Sequence, residues 1–298
     1  MKIKDWIHAA RLRTLPLSLS GIIVGSFVAY QQGFWDNCIF ILAMFTTLFL
    51  QVLSNFANDL GDSFKGADNE KSVGPTRAIQ SGKISQKQMA IGTVVMAIFS
   101  LATAIPLILV GTKEMSSSVL WMYVILALLC VLAAVTYTVG KKAYGYNGMG
   151  DIMVFIFFGL VSVLGVYSLY SKQFDATLLG MAFGIGWLSV AVLNLNNMRD
   201  HENDKAVNKK TLVVMMGFEN AKIYHSMLIV GAFVGILTFI IVNEWWWSCI
   251  ALLPFIVLFK HLKKVWKTTI PQALDLELKK VSLSTFAIAV LFIISVLI

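Results

Sequence analysis

Long apolar segments separated by short polar connections make up most of the chain. They lie at about 15–31, 37–57, 88–110, 118–138, 149–170, 177–196, 223–242, 245–259 and 281–298. A helix needs about 20 apolar residues to cross the hydrocarbon core of a bilayer, so the pattern predicts an all-α membrane protein of about nine transmembrane helices in a single domain. The run at 245–259 is short and closely follows its neighbour, which predicts a tight hairpin or a partly re-entrant segment there.

Composition supports the membrane assignment, and charge fixes an orientation. Apolar residues make up 58% of the chain and charged residues 13%, whereas soluble domains contain about 25% charged residues. Of the 24 Lys and Arg residues, all but Lys113 and Lys172 fall on the side of the N-terminus. The positive-inside rule therefore places the polar loops at 58–87, 139–148 and 197–222 in the cytoplasm. This distribution and anionic lipid explain the net charge of +8, so no nucleic acid partner is required.

A polar motif repeats at the ends of two apolar runs. Asn58 and Asp62 form an Asn-x-x-x-Asp motif, and Asn196 and Asp200 form the same motif 138 residues later. This offset predicts two repeats of about four helices with a ninth helix added at the end.

Further carboxylates accompany each motif, namely Asp59 and Asp68 in the first cluster and Asp204 in the second. Residues four apart share a helical face, so each cluster can direct its oxygens to one place. Carboxylates at the membrane boundary are costly unless a cation meets them. Mg²⁺ binds one or two carboxylates and completes its shell with phosphate and water, which predicts Mg²⁺ holding a phosphate-bearing lipid. The alternative is a solvated turn whose charges only end the helix.

Basic and aromatic residues complement these acids. Arg77 follows a Gly-Pro-Thr turn and can bind phosphate through two parallel hydrogen bonds, and Lys209 occupies the corresponding place after the second cluster. Tyr137 and Lys141, four apart beside a glycine-rich loop, are expected to share a helical face. In the alternative interpretation, Arg77 and Lys209 only orient the protein in the membrane through their charge. Tyr137 and Lys141 then belong to an interfacial belt of aromatic residues and snorkelling lysines.

These motifs together resemble the UbiA superfamily of intramembrane aromatic prenyltransferases, and within it the branch that acts on 1,4-dihydroxy-2-naphthoate. The resemblance spans most of the chain and rests on the stretches 11–16, 55–77, 137–151 and 194–212. Gly66 stands where the superfamily usually has a second Asp, and Asp68 follows two residues later. This variant of the motif resembles that of the naphthoate branch. Ala143 and Asn208 replace a Pro and a Gly that are frequent in that branch, and both bear on loop shape rather than on chemistry.

The resemblance implies a helical bundle around a central cavity in a bacterial inner membrane. It implies Mg²⁺-dependent transfer of a polyprenyl group to 1,4-dihydroxy-2-naphthoate with loss of CO₂ and diphosphate, giving demethylmenaquinol for menaquinone synthesis. The metal ligands that it implies are Asp59, Asp62, Asp68, Asp200 and Asp204. The catalytic groups that it implies are Arg77, Tyr137, Lys141 and Lys209, and the substrate contacts are Asn58, Asn196, Asn197, Arg199, Arg13 and Lys142.

Two alternatives stay open at this stage. The first keeps the fold and changes the acceptor to 4-hydroxybenzoate, homogentisate or haem, since the pocket residues that select an acceptor are weakly readable. The second is a cation-coupled transporter built from repeats, whose acids would lie near the middle of the membrane. The position of the acids at the ends of the apolar runs argues against the transporter. Prenyl length and oligomeric state are not encoded in these patterns.

Overall fold

The structure is a computed structural model that describes residues 2–67 and 74–298 of the chain. Throughout these ranges the regular structure is helical, without strands, which confirms the predicted all-α class. The helices are α1 Ile3–Ala10, α2 Leu15–Gln31, α3 Asn37–Lys65, α4 Gln86–Gly111, α5 Ser117–Thr136, α6 Gly150–Ser171, α7 Leu179–Ala206, α8 Leu212–Met216, α9 Phe218–Val242, α10 Phe255–Lys267 and α11 Asp275–Leu297. The central part of α6, Phe155–Gly165, is a π-helix.

Within the described residues, eight helical segments are long and apolar enough to cross a membrane. They correspond to eight of the nine predicted runs. The run at 245–259, for which the sequence predicts a tight hairpin or a partly re-entrant segment, does not form one continuous helix, because the chain forms a 3₁₀ segment at Trp246–Leu252 and begins α10 only after Pro254. Proline lacks the N–H that a continuous helix would need at this point.

The broken segment nevertheless spans the same depth as its neighbour α11. At one end, the hydroxyls of Ser248 and Ser295 are hydrogen-bonded at 3.0 Å. At the other end, His261 Nδ1 lies 2.7 Å from a carboxylate oxygen of Glu277. Ser295 and Glu277 are separated by about 27 Å along α11, at about 1.5 Å per residue, which approaches the thickness of the hydrocarbon core. This segment therefore returns the chain to the side from which α9 started.

The helices α3 and α7 extend beyond their apolar runs. The predicted loops at 58–87 and 197–222 are wrong at their starts, because α3 continues to Lys65 and α7 to Ala206. Gly66 ends α3 in the left-handed conformation at φ 67°, and its N–H donates to the carbonyl of Asp62. Both Asn-x-x-x-Asp motifs thus lie on the last turns of long helices, where residues four apart share a face.

Helix α7 lies at the centre of the bundle and packs against α2, α6, α9 and α11. Glycines allow the closest approaches: a Cβ atom on Gly180 would lie 2.5 Å from the carbonyl oxygen of Gly235, and one on Gly186 would lie 3.1 Å from the Cα of Gly159. Small residues commonly allow such backbone contacts between membrane helices. Helix α5 is packed differently, since only 11% of its 18-residue apolar stretch is buried inside the protein.

A cavity of about 330 Å³ lies between α2, α3, α4, α5 and α6, in agreement with the expected central cavity. Its wall is mostly apolar, and α5 contributes one face of it. Polar groups gather at one end, where the lining includes Ser18, Gln51, Ser54, Asn58 and Tyr137. Toward the other end, the hydroxyl of Tyr123 donates to the carbonyl of Gly165 at 3.0 Å. The cavity therefore connects the acidic end of α3 with the apolar interior of the membrane.

We expect Gly61→Ala to destabilise the protein. A Cβ atom at this position would lie 2.6 Å from the backbone carbonyl carbon of Thr138, so α3 would be pushed away from the chain that follows α5. Overpacking of this kind costs about 1–3 kcal/mol. Gly165→Ala is the matched control, because its nearest neighbour outside the local backbone, Val161 Cγ1, lies at 3.7 Å. Thermal unfolding in detergent should show a lower Tm for Gly61→Ala only, and equal Tm values would contradict the packing argument.

Candidate functional site

The polar ends of α3 and α7 lie side by side at one end of the bundle. The Asn203 side-chain amide on α7 donates to the carbonyl of Ala67, just after α3, at 2.9 Å. Lys209 is largely removed from solvent between the two acidic clusters, with its ammonium 3.2 Å from Asp204 Oδ1. Burial opposes its charge, but Asp204 and Asp62 outweigh this effect and raise the pKa of Lys209 above its ordinary value. Lys209 therefore stays charged and links the two clusters.

Asp59 is buried and fully engaged by donors. Arg11 forms an ion pair with its Oδ1, Arg77 Nη1 lies 3.1 Å from the same oxygen, and the Ala78 N–H donates to Oδ2 at 3.3 Å. The second amino group of Arg77 lies 3.9 Å from Asp62 Oδ2. These contacts fit Asp59 as an anchor for α1 and for the segment at Arg77 and Ala78 better than as a metal ligand. Arg11, unassigned in the sequence analysis, belongs to this cluster.

Asp62 is held by a tyrosine that the sequence analysis did not assign. The Tyr146 hydroxyl donates to Asp62 Oδ1 at 2.7 Å in a buried position. The ammonium groups of Lys65 and Lys209 lie 3.8 and 5.4 Å from the centroid of the same ring. Tyr146 therefore orders a carboxylate and two cations at once. Its position in the glycine-rich loop at 139–148 was the available sequence signal.

Asp200 is paired with its neighbour in sequence. Arg199 binds it through two hydrogen bonds, Nε to Oδ1 at 2.8 Å and Nη2 to Oδ2 at 2.7 Å. The same guanidinium donates to Asn196 Oδ1 at 2.8 Å and to Asp275 Oδ1 on α11 at 2.7 Å. Arg199 is thus buried and fixed by side chains of the site. Its contacts orient Asp200 and Asn196, whereas the family resemblance predicts that it binds substrate.

The carboxylates fit a metal that arrives with phosphate ligands. Among the described residues, no three His, Cys, Asp or Glu side chains converge closely enough to bind a metal ion by themselves. Mg²⁺ in phosphate sites, however, takes only one or two carboxylates together with phosphate oxygens and water. Asp204 has a buried Oδ2 without a hydrogen-bond partner in the structure, and Asp62 is close enough to share Lys209 with it. Asp68, the remaining expected ligand, lies outside the described residues.

Tyr137 and Lys141 do not share a helical face, because α5 ends at Thr136 and Gly140 turns the chain at φ 99°. Lys141 and Lys142 are exposed, and neither forms an ion pair within the described ranges. Tyr137 instead lines the cavity and packs against Tyr144, with ring centroids 5.3 Å apart. Burial raises the pKa of Tyr137 to about 12, against the opposing effect of Lys209, so its hydroxyl stays protonated at neutral pH.

The other expected substrate contacts are distributed around the site. Asn58 lines the polar end of the cavity and accepts a hydrogen bond from Thr138 Oγ1 at 3.3 Å. Asn197 is buried on α7. Arg13 is exposed and lies within electrostatic reach of Asp275 and Arg199. Among these expected substrate contacts, Asn58 is the residue that lines the cavity at its polar end.

Comparisons with known proteins agree on one family. The chain matches the UbiA prenyltransferase family over residues 18–296. It is 40% identical to 1,4-dihydroxy-2-naphthoate octaprenyltransferase of Haemophilus influenzae, covering 100% of this chain and 97% of that protein. It is 35% identical to the protein of the same name from Escherichia coli, covering 99% and 96%.

Solved structures show the same fold at low sequence identity. A structure of digeranylgeranylglyceryl phosphate synthase superimposes with a TM-score of 0.61 at 17% identity, covering 99% of this chain and 98% of that chain. A UbiA homologue from Archaeoglobus fulgidus, bound to DMAPP and Mg²⁺, superimposes with a TM-score of 0.53 at 16% identity, covering 96% and 97%.

We expect Tyr146→Phe to destabilise the protein more than Tyr144→Phe. The first change removes a donor from the buried Asp62 carboxylate, whereas the second removes a hydrogen bond of 2.9 Å to the backbone carbonyl of Ala133. Hydrogen bonds to charged groups contribute about 1.5–3 kcal/mol and neutral ones about 0.5–1.5 kcal/mol. Both rings are kept, so packing is held constant. A Tm for Tyr146→Phe equal to or above that of Tyr144→Phe would argue against the role of this hydroxyl.

Proposed function

The chain belongs to the UbiA prenyltransferase family, and on this premise we propose that it transfers a polyprenyl group from polyprenyl diphosphate to 1,4-dihydroxy-2-naphthoate. Two relatives named for this reaction, at 40% and 35% identity, match nearly the full length of the chain. The observation that carries the proposal is the meeting of two acidic clusters, with Lys209 between them, at the end of α3 from which the apolar cavity opens.

In the proposed reaction the prenyl donor loses diphosphate, and the acceptor loses its carboxylate as CO₂. The product is demethylmenaquinol, which serves menaquinone synthesis. Breaking the allylic C–O bond places negative charge on the leaving diphosphate, and Lys209 and Arg77 are positioned to bind it. Mg²⁺, held by Asp62, Asp200 and Asp204, would neutralise further charge on this leaving group. The apolar cavity accommodates the prenyl chain and keeps water from the allylic cation. Asn58, at the polar end of the cavity, can orient the aromatic acceptor.

We also propose an orientation in the membrane. The eight apolar helices and the family support a multi-pass membrane protein. The distribution of Lys and Arg places the acidic ends of α3 and α7 on the cytoplasmic side of a bacterial inner membrane. A soluble diphosphate product would then be released into the cytoplasm. The chain acts as a single domain, since both acidic clusters contribute to one site.

The alternatives make different demands on the site. Another aromatic acceptor, such as 4-hydroxybenzoate or homogentisate, would leave the diphosphate site unchanged, and the names of the relatives favour the naphthoate. A transporter would need its acids near the middle of the membrane, whereas Asp62 and Asp204 lie on the last turns of α3 and α7. Purified protein, incubated with Mg²⁺, a polyprenyl diphosphate and each aromatic acid in turn, should form lipid product and CO₂ with the naphthoate. Turnover of 4-hydroxybenzoate alone would favour the first alternative.

We expect Asp62→Ala and Asp200→Ala each to lower turnover by orders of magnitude, because each removes a proposed ligand of the metal that stabilises the leaving group. Glu202→Ala is the control, since Glu202 is exposed on the same helix as Asp200. Product formation in detergent measures the effect, with thermal unfolding as a check on folding. Full activity in excess chelator, or near-normal turnover in either Asp variant, would remove the metal from the proposal.

We expect Lys209→Gln to weaken use of the prenyl diphosphate far more than Lys141→Gln. Lys209 is largely removed from solvent between Asp204 and Asp62, while Lys141 is exposed. A charge-assisted hydrogen bond is worth about 1.5–3 kcal/mol, so the KM for the diphosphate should rise roughly tenfold or more in Lys209→Gln only. The KM for the aromatic acid should change little in both variants. Equal, small changes in the KM for the diphosphate would mean that neither lysine binds it and that both contribute only general positive charge near the site.

A further inference from the structure

Asp275 is joined to the acidic site by one buried arginine. It begins α11, the last helix of the chain, and its Oδ1 accepts a hydrogen bond from Arg199 Nη1 at 2.7 Å. Arg199 has 5% of its side chain exposed, whereas 49% of the Asp275 side chain is exposed. None of the motifs in the sequence marks Asp275 as part of the site.

Arg199 divides its charge between two carboxylates. Two of its hydrogen bonds go to Asp200, one goes to Asp275 and one goes to the amide oxygen of Asn196. A guanidinium cannot lose its proton in a protein, so Arg199 stays charged whatever surrounds it. If one carboxylate is removed, the other keeps the whole attraction of the cation.

This division affects Asp200 directly. Both oxygens of Asp200 accept hydrogen bonds from the planar fork of Arg199, which is the arrangement that binds a carboxylate most strongly. A cation that uses Asp200 as a ligand has to compete with this fork for the same oxygens. The contact with Asp275 attracts the guanidinium of Arg199 toward α11 and so weakens its hold on Asp200. A cation then competes with Arg199 for the Asp200 oxygens more easily.

We propose that Asp275 is a positioning residue: by holding Arg199 from the side of α11, it makes the Asp200 carboxylate available to Mg²⁺ and diphosphate. The inference rests on the proposed function, because it takes Asp200 as a ligand of the metal. It assigns to the last helix of the bundle a direct influence on a site otherwise built by the ends of α3 and α7 and by the loops beside them.

The test measures binding rather than turnover. Purified protein in detergent is titrated with Mg²⁺ at a fixed concentration of inorganic pyrophosphate, and the increase in Tm reports occupancy. We expect Asp275→Asn to raise the Mg²⁺ concentration at half-maximal stabilisation roughly three- to tenfold, because Asp200 then keeps the whole attraction of Arg199 for a carboxylate. Asp275→Glu, which keeps the charge, should restore part of the affinity.

Glu202→Gln is the matched control for the loss of one negative charge near the site. Glu202 lies on α7 two residues after Asp200, but its side chain is 84% exposed and contacts His201 rather than Arg199. We expect less than a twofold change in the Mg²⁺ midpoint for this variant. An equal shift in Glu202→Gln and Asp275→Asn would reduce the effect to general electrostatics and overturn the positioning role.

A double-mutant cycle separates positioning from folding. In the Arg199→Gln background, Asp275→Asn should leave the Mg²⁺ midpoint unchanged, because the residue through which it acts is gone. If Arg199→Gln does not fold, Arg199→Lys provides a second background, in which the point charge lacks the fork and the effect of Asp275→Asn should shrink. Full-sized shifts in either folded background would overturn the inference. A wild-type protein without any Mg²⁺-dependent stabilisation would overturn the metal site itself, whereas a normal wild-type response that Asp275→Asn does not alter would overturn only the role of Asp275.

Discussion

The cost of placing carboxylates at the boundary of a membrane governs the architecture of the site. Asp59, Asp62, Asp200 and Asp204 are largely removed from water, and each is met by a cation or a hydroxyl. An unpaired buried charge would cost several kcal/mol, so these pairings are obligatory. Since the partners come from α1, from the loops and from α7 itself, satisfying the acids also fixes where these segments lie. Pairing of charge thereby organises the whole polar end of the bundle.

The helices were predictable because hydropathy is a local property, whereas the pairing of polar groups is not. The apolar runs gave eight membrane helices and the all-α class, and the repeated Asn-x-x-x-Asp motif identified α3 and α7 as carriers of the acids. In the run at 245–259, hydropathy locates an apolar segment but does not locate the interruption at Pro254. The shared helical face predicted for Tyr137 and Lys141 is wrong because Gly140 ends the helical periodicity between them.

The missed residues share a physical cause. Arg11, Tyr146 and Asp275 lie far along the chain from the acids or arginine that they contact, separated by 48, 84 and 76 positions. Each is an ordinary surface or loop residue in the sequence, and only the packing of α1, the glycine-rich loop and α11 gives it a partner. Asp59 shows the converse: its position in an acidic cluster predicts a ligand, but its contacts with two arginines and one backbone amide fit an anchor better. Residue type indicates which chemistry is possible, and tertiary contacts decide which of it is used.

The weak packing of α5 has a consequence for how the cavity responds to its surroundings. One face of this helix lines the cavity and most of its surface is exposed to lipid, since only 11% of its 18-residue apolar stretch is buried inside the protein. The cavity is therefore enclosed on one side by a helix that the acyl chains of the bilayer press into place. A membrane under different lateral pressure, or one of a different thickness, changes the free energy of moving this wall outward. The room available for a long isoprenoid chain is thus a joint property of the protein and its lipids.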